Sequence, residues 1–370
     1  MRILILRSNP IAPDPRVEKI ARALSTHGYP VACLGWDRSA TLPEQDIKNG
    51  VKITRLLIKA NYGNGLGNLP QLLRWQFGLL FWLIRHRKEF DSIHACDFDT
   101  ILPALLLKWF GKKKVVYDIF DFYADHLRRT PQLIKNLIRK VDLWAIDRAD
   151  AVILVDDARR EQIQGAHPKK CISIYNSPED VGWRPPEDTE RKEVFSIAYV
   201  GLLQFERGIK LVLDLMPSHP NWRLELAGFG GDEQPICEQA AKIPGVRFYG
   251  RVAYDEAIKL SAEADVLFAT YDPSIANHRY SSPNKVFEGM MLGKPIVVAR
   301  NTNMDRIIMA AGCGIVVDYG DREGLEQALM TLQNSPEKRK QLGENGRRSY
   351  EQDYSWGQMS KRLLDLYADL

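Results

Sequence analysis

Short runs rich in Val, Ile and Leu recur along the chain, separated by stretches with helical periodicity. The first six are Ile3 to Leu6, Val31 to Leu34, Ser92 to His94, Val115 to Tyr117, Ala151 to Val155 and Ile172 to Tyr175. Six more follow: Ser196 to Val200, Arg223 to Ala227, Val246 to Tyr249, Asp265 to Ala269, Pro295 to Val298 and Gly314 to Val317. A strand that is apolar at nearly every position is buried on both faces, which calls for a parallel sheet with helices on either side. The chain therefore reads as α/β. At 370 residues it exceeds one core, so two domains are expected. Ser177 to Lys192 holds three prolines and no periodicity, and it falls near the middle. The expected division is 1–176 and 177–353, with a terminal helix over 354–370 capped by Ser355 and striped by Trp356, Met359, Leu363, Leu364 and Tyr367. Two doubly wound, Rossmann-like halves would face each other across a cleft, with ligands at the carboxyl ends of the strands.

Apolar content of 45% and charged content of 26% are those of a globular protein. Cys33, Cys96, Cys171, Cys237 and Cys313 are scattered and never form a C-x-x-C pair, which disfavours a disulfide framework and a zinc site and fits the cytoplasm. Met1 to Arg7 is too short an apolar run for a signal peptide, and no segment is long enough to span a bilayer. Charge is uneven. Residues 1–150 carry 24 Lys and Arg against 15 Asp and Glu, leaving 27 against 32 for the remainder. Such asymmetry points to an anionic partner on the N-terminal side. Two segments hold much of the surplus. Leu69 to Lys88 combines Trp75, Phe77, Phe81 and Trp82 with Arg85, Arg87 and Lys88, and Arg128 to Lys140 sets five basic residues around Leu133, Ile134, Leu137 and Ile138. Both fit helices lying peripherally in an anionic membrane interface, and both also fit core helices with solvated ends.

The segment from Ser281 to Pro295 predicts a helix whose first turn has an unfavourable charge. Ser282 reads as the N-cap, Pro283 as the first helical residue, Val286, Phe287, Met290, Met291 and Leu292 as the buried stripe, and Gly293 as the stop. Lys285 in the first turn opposes the helix macrodipole, where a capping box would place Glu or Gln. A cation beside the free N–H groups of a helix start makes a receptor for a phosphate or diphosphate. Glu288 lies three residues on, so an exposed Lys285–Glu288 pair is the plainer alternative.

Other segments supply weaker signals. Tyr199-Val200-Gly201, followed by Arg207-Gly208, is a strand, a turn and a cation at a helix start, a second phosphate-site pattern. Arg223 to Asp232 contains Gly228, Phe229 and Gly230 in a glycine turn but lacks the dinucleotide fingerprint, which disfavours a nicotinamide enzyme. Asp97 and Asp99, one residue apart, can hold a divalent cation with a nucleotide diphosphate, although this spacing is common by chance. Asp118 and Asp121 close a strand and fit general-base or sugar-hydroxyl roles. Among the seven histidines only His94 stands at a strand end, and none pairs with a nucleophile.

Taken together, the chain resembles the retaining, nucleotide-sugar-dependent glycosyltransferases of family 4, which have the GT-B fold of two Rossmann-like domains. The likeness runs through Asp14-Pro15-Arg16-Val17, Gly28-Tyr29-Pro30-Val31, Ile93-His94-Ala95-Cys96-Asp97, Val116-Tyr117-Asp118, Asn176-Ser177-Pro178, Val200-Gly201, Arg207-Gly208 and Gly228-Phe229-Gly230. It is most specific at Ser282-Pro283-Asn284-Lys285-Val286-Phe287-Glu288 ahead of Gly293-Lys294-Pro295-Ile296-Val297. The resemblance implies that Glu288 binds the donor ribose and that Arg207 and Lys285 neutralise a leaving diphosphate without metal or cofactor. It also implies that Gly201 admits the phosphates and that Tyr249-Gly250-Arg251 lines the base. Asp14, Arg16, His94 and Asp97 would stand on the acceptor side, and the terminal helix would pack back on the N-terminal domain.

Three positions depart from the family pattern. Tyr280 replaces the first of two glutamates, Leu202 replaces an arginine, and Phe120 replaces a histidine. The implied activity is transfer of a sugar from a nucleotide diphosphate to a lipid-linked or polysaccharide acceptor in cell-envelope glycan synthesis, with retention of configuration. The enzyme would be cytoplasmic and peripheral at the inner face of the plasma membrane, with no nucleic-acid partner. A nucleotide-sugar epimerase of the same fold and a catalytically degenerate binding subunit are the alternatives.

Overall fold

Ile3, Leu4, Ile5 and Leu6 are all buried in β1 (Ile3–Arg7), without alternation, as a strand covered on both faces requires. The computed structural model describes residues 1–61, 68–127, 130–183 and 194–370. Two compact units divide the chain: Met1–Tyr175 with Ser360–Leu370, and Asn176–Met359. Arg128 and Arg129 of the basic segment and residues 184–193 of the central proline-rich stretch lie outside the described residues.

In the first unit β1 is followed by α1 (Pro15–Thr26), β2 (Val31–Asp37), β3 (Gln45–Lys48), β4 (Val51–Leu57), α2 (Leu69–Arg85), β5 (Ser92–Cys96) and α3 (Phe98–Gly111). Then come β6 (Lys114–Ile119), the four-residue α4 (Tyr123–His126), α5 (Gln132–Arg148), β7 (Ala151–Leu154) and β8 (Cys171–Ser173). The sheet order is β3-β4-β2-β1-β5-β6-β7-β8, parallel except for β3. Chain order reverses between β1 and β5, so the carboxyl ends of β1, β5 and β6 form the natural ligand crevice of this unit. The β3–β4 hairpin is absent from the apolar runs because Gln45, Asp46 and Lys48 are polar. Its turn is Asn49-Gly50, with φ of 52° and 78°, the left-handed pair that a two-residue hairpin favours. On one face of the sheet, α2, α3 and α5 lie side by side. Trp75, Leu79 and Leu83, Ile101 and Leu105, and Ala145 and Ile146 pack on the same layer as Leu4, Leu6 and Ile93.

The second unit runs β9 (Phe195–Leu202), α6 (Ile209–Leu215), β10 (Trp222–Phe229), α7 (Glu233–Ala240), β11 (Val246–Gly250), α8 (Tyr254–Glu263) and β12 (Val266–Ala269). It continues with α9 (Ala276–Arg279), α10 (Asn284–Met291), β13 (Ile296–Ala299), α11 (Met304–Ala311), β14 (Gly314–Val317), α12 (Arg322–Asn334) and α13 (Pro336–Ser349). The parallel order β11-β10-β9-β12-β13-β14 reverses between β9 and β12, the doubly wound pattern. The last helix, α14 (Trp356–Ala368), begins in this unit, and its residues from Ser360 belong to the first.

The helix start differs from expectation by one residue. α10 begins at Asn284, and Pro283 takes the N-cap place with an extended ψ of 142°. Ser282 is therefore one residue too far back to cap, and its buried Oγ has no hydrogen-bond partner. The stripe of Val286, Phe287, Met290 and Met291 is buried, and Gly293 ends the helix at φ +63°.

Candidate active site

At the switch point of the second unit two cations meet an aromatic floor. Arg207, at the end of a short 3-10 turn (Phe205–Arg207), donates from Nη1 to the Tyr271 hydroxyl at 2.9 Å and from Nε to Gln204 Oε1 at 2.9 Å. Its guanidinium carbon lies 4.6 Å from the Tyr271 ring centroid. Lys285, in the first turn of α10, places Nζ 3.2 Å from the Tyr199 ring centroid and 5.7 Å from that of Tyr271. That Nζ is buried and lacks any hydrogen-bond acceptor. Among the described residues neither cation closes an ion pair with a carboxylate. Burial first, and then Arg207, push the Lys285 ammonium well below the usual lysine range, with Glu288 opposing. Buried polar atoms are normally satisfied, so this unpartnered Nζ is a candidate contact for an anionic group. Thr270 Oγ1, at the end of β12, is a second buried orphan.

Glycines hold this crevice close. Gly208, at φ +81°, has no room for a side chain, because a Cβ there would meet Thr270 Oγ1 at 1.9 Å. A Cβ on Gly228 would lie 1.7 Å from the Gly201 carbonyl oxygen, so glycine here lets the end of β10 lie against Gly201, its partner at the end of β9. Gly201 itself leaves Lys285 Nζ 3.3 Å from where a Cβ would sit. Beyond Gly228, the half-exposed Phe229 ring carries the Arg251 guanidinium at 4.5 Å, beside Gly230. Tyr249, from the same segment as Arg251, instead donates to Glu225 Oε2 at 2.7 Å. Glu288, one turn beyond Lys285, faces Tyr254, and burial together with this carboxylate pushes the Tyr254 phenol up. Asn284 is exposed, while Tyr280 ends α9 half-buried with Arg279 6.0 Å from its ring.

The first unit gathers its expected residues at the ends of β1, β5 and β6. Arg16, nearly sealed, donates from Nη2 to Asp118 Oδ1 at 2.8 Å, from Nε to Oδ2 at 3.2 Å and from Nη1 to the Ile174 carbonyl at 2.7 Å. His94 Nε2 lies 3.2 Å from Asp118 Oδ2, and its Nδ1 lies 2.8 Å from the Tyr367 hydroxyl. Asp118 is wholly buried and both oxygens are engaged. Asp118 thus fixes Arg16 and His94, with Oδ1 accepting from Arg16 and Oδ2 shared between Arg16 and His94. Arg7 bonds Asp14 and Asp97, while Asp14 caps α1 through Val17 N at 3.2 Å. Asp97 sits at φ +64° and accepts from Phe120 N at 2.8 Å. Burial, against the pull of Arg7, raises its carboxyl to about 6. Asp121 is half-exposed and bound on one oxygen by Arg159 at 2.9 Å. Phe120, where a histidine was expected, has its ring centroid 4.0 Å from the Arg7 guanidinium carbon and 4.9 Å from that of Arg16.

His94, Cys96 and Asp118 bring possible ligand atoms within 4.8 Å of one another. The set does not suit a cation, because His94 and Asp118 are already hydrogen-bonded, Arg16 adds positive charge, and burial pushes the Cys96 thiol well up. Sequence patterning marks none of Tyr271, Thr270 and Tyr254 as site residues, and it places Tyr199 only in the strand before Gly201. Tyr271 could have been found, since it follows β12 at the same switch point as Gly201.

Comparison with known proteins agrees with this layout. Residues 16–177 match the family model for Glycosyltransferase Family 4, and residues 184–349 match that for Glycosyl transferases group 1. The chain is a glycosyltransferase built from these two Rossmann-like domains, with the GT-B fold. D-inositol 3-phosphate glycosyltransferase of Corynebacterium kroppenstedtii is 23% identical over 359 residues, covering 86% of this chain and 76% of the relative. Sucrose-phosphate synthase of Thermosynechococcus elongatus superposes with a TM-score of 0.79 at 16% identity, over 100% of this chain and 99% of that one. HepE of Anabaena, solved in complex with UDP, gives 0.76 at 16% identity over the whole of both chains. Among the described residues no helix is long and apolar enough to cross a membrane.

Proposed function

We propose that this glycosyltransferase moves a hexose-type sugar from a nucleotide diphosphate to a lipid-linked or polysaccharide acceptor, with retention of configuration and without a metal. Its place of action in this reading is the cytoplasmic face of the envelope membrane, in glycan synthesis. The observation that carries it is the pair Arg207 and Lys285, two basic side chains on one aromatic floor, neither of them ion-paired with a carboxylate among the described residues. Cations already in place where negative charge develops on a leaving diphosphate lower the barrier without reorganisation. That HepE is solved with UDP and with UDP-glucose supports the same donor class. In this scheme Glu288 holds the donor ribose, Phe229 and Arg251 flank the base, and Gly201 and Gly230 admit the phosphates. Ser282, Pro283, Asn284 and Tyr280 border the sugar. Asp97, Asp121, Asp14 and Arg16 belong to the acceptor side, with Asp118 and His94 positioning them.

Glu288→Ala should abolish donor turnover in a folded protein, and unchanged nucleotide release in that variant would sink the assignment. A thermal-shift panel of UDP, GDP and ADP with their sugar conjugates identifies the donor, because a ligand at about 100 times its Kd adds about 2.7 kcal/mol. Tyr280 in place of a glutamate favours a second reading, a degenerate subunit that binds nucleotide only. Tight UDP binding with no turnover across membrane extracts would support it.

A further inference from the structure

The first unit carries a second apolar layer facing away from its core. Along α2, Trp75, Leu79 and Leu83 are buried, whereas Leu73, Phe77, Phe81 and Ile84 are exposed. Phe77 and Phe81 stand two residues beyond Trp75 and Leu79, about 200° around the helix, so α2 has two opposed apolar faces. Phe77 and Phe81 are each 69% exposed, Phe110 at the end of α3 is 87% exposed, and Leu133 and Leu137 on α5 are 84% and 62% exposed. α2, α3 and α5 lie on one side of the sheet, and Trp109 of α3 meets Trp144 of α5 edge-on at 5.6 Å. These exposed residues therefore belong to one three-helix layer rather than to scattered sites. An apolar area of this kind on a folded domain marks an interaction surface.

The charge around the layer indicates its occupant. Leu69 to Lys88 contains no Asp or Glu, and Arg74, Arg85, Arg87 and Lys88 are exposed. α3 is followed by Lys112, Lys113 and Lys114, of which Lys112 and Lys114 are exposed. Acids flanking these segments are already engaged: Glu89 with His86 at 2.7 Å, Asp91 with Arg2 at 2.8 Å, Asp150 with Lys108 at 2.7 Å, and Asp147 of α5 accepts from His167 N. A second copy docking by the same face would place these cations against themselves. Anionic lipid headgroups would neutralise them while the phenyl and leucine side chains enter the acyl boundary.

We propose that the outer face of α2, α3 and α5 is a docking surface for an anionic bilayer, lying flat on the membrane with Phe77, Phe81, Phe110, Leu133 and Leu137 inserted. The surface gives the membrane part of the reading above a specific face and lipid class, and it stands whether or not the donor assignment does.

Flotation of the full chain with vesicles of phosphatidylcholine alone, or with about 30% phosphatidylglycerol, tests it. The wild type should bind only the anionic vesicles and be released by salt. Phe77→Glu with Phe81→Glu should lower the partition coefficient at least about tenfold at fixed salt. Arg85→Glu, Arg87→Glu and Lys88→Glu together should lower it by about 100-fold or more. Thermal shift by UDP on the same proteins reports folding and donor binding separately, so loss of that shift alone counts against the donor reading and not this surface. No binding of the wild type to anionic vesicles would overturn the proposal, as would both variants floating like wild type. A concentration-dependent dimer that the phenylalanine substitutions dissolve, with no vesicle binding, would assign the face to a second copy instead.

Discussion

Binding of a nucleoside diphosphate should take up a proton at Lys285. In the free protein Nζ rests against Tyr199 with no acceptor, and burial with the nearby Arg207 holds its pKa well below the usual lysine range. A diphosphate between the two cations favours the ammonium and raises that pKa. Between the free and bound values, each binding event adds one proton, so affinity falls as pH rises. For a single proton the slope approaches one decade in Kd per pH unit, about 1.4 kcal/mol. Calorimetric titration with UDP from about pH 7.5 to about pH 8.5 keeps clear of the phosphate's own ionisation near 6 and of the uracil N3–H in stronger alkali. Lys285→Arg, charged throughout, should bind with a nearly flat profile. A wild-type Kd independent of pH over that range, with binding intact, would refute the reasoning.

Gly208→Ala combines a φ of +81° with a Cβ 1.9 Å from Thr270 Oγ1, so it should lower the stability of the second unit by about 2 kcal/mol or more and weaken UDP binding; Tm and thermal shift read both effects. Asp142, buried on α5, accepts from the Tyr117 hydroxyl at 2.7 Å, and burial raises its carboxyl to about 7. The unfolded chain holds that proton only below about 4, so the contribution of Asp142 to stability is fully present below about 4 and is lost as pH rises through about 7. Asp142→Asn should therefore flatten the fall in Tm between about pH 5 and about pH 8, and parallel curves for variant and wild type would count against the assignment.

The strands that build both parallel sheets were legible because both faces are covered, which writes burial into consecutive residues. The β3–β4 hairpin was not, since its outer strand is polar and only Asn49-Gly50 announced it. At the candidate site the charged residues were visible and their surroundings were not. Lys285 stood out as a cation at a helix start, but nothing local says that Tyr199, 86 residues earlier, forms its floor. Asp118 looked like a strand-end base because spacing cannot reveal that Arg16 and His94 occupy both oxygens. Ser282 looked like a cap because composition cannot tell whether proline is the first helical residue or the last extended one.

The return of Ser360–Leu370 to the first unit bears on synthesis of the chain. Tyr367 is the buried hydroxyl partner of His94, and 273 residues separate them. Translation runs from the N-terminus, so the ribosome must make all of Asn176–Met359 before the first unit can acquire this partner. The unit whose sequence emerges first is the last to close its polar network, and until then His94 lacks the Tyr367 hydroxyl. A chain truncated and released after Met359 should therefore hold a complete second unit and an unfinished first one.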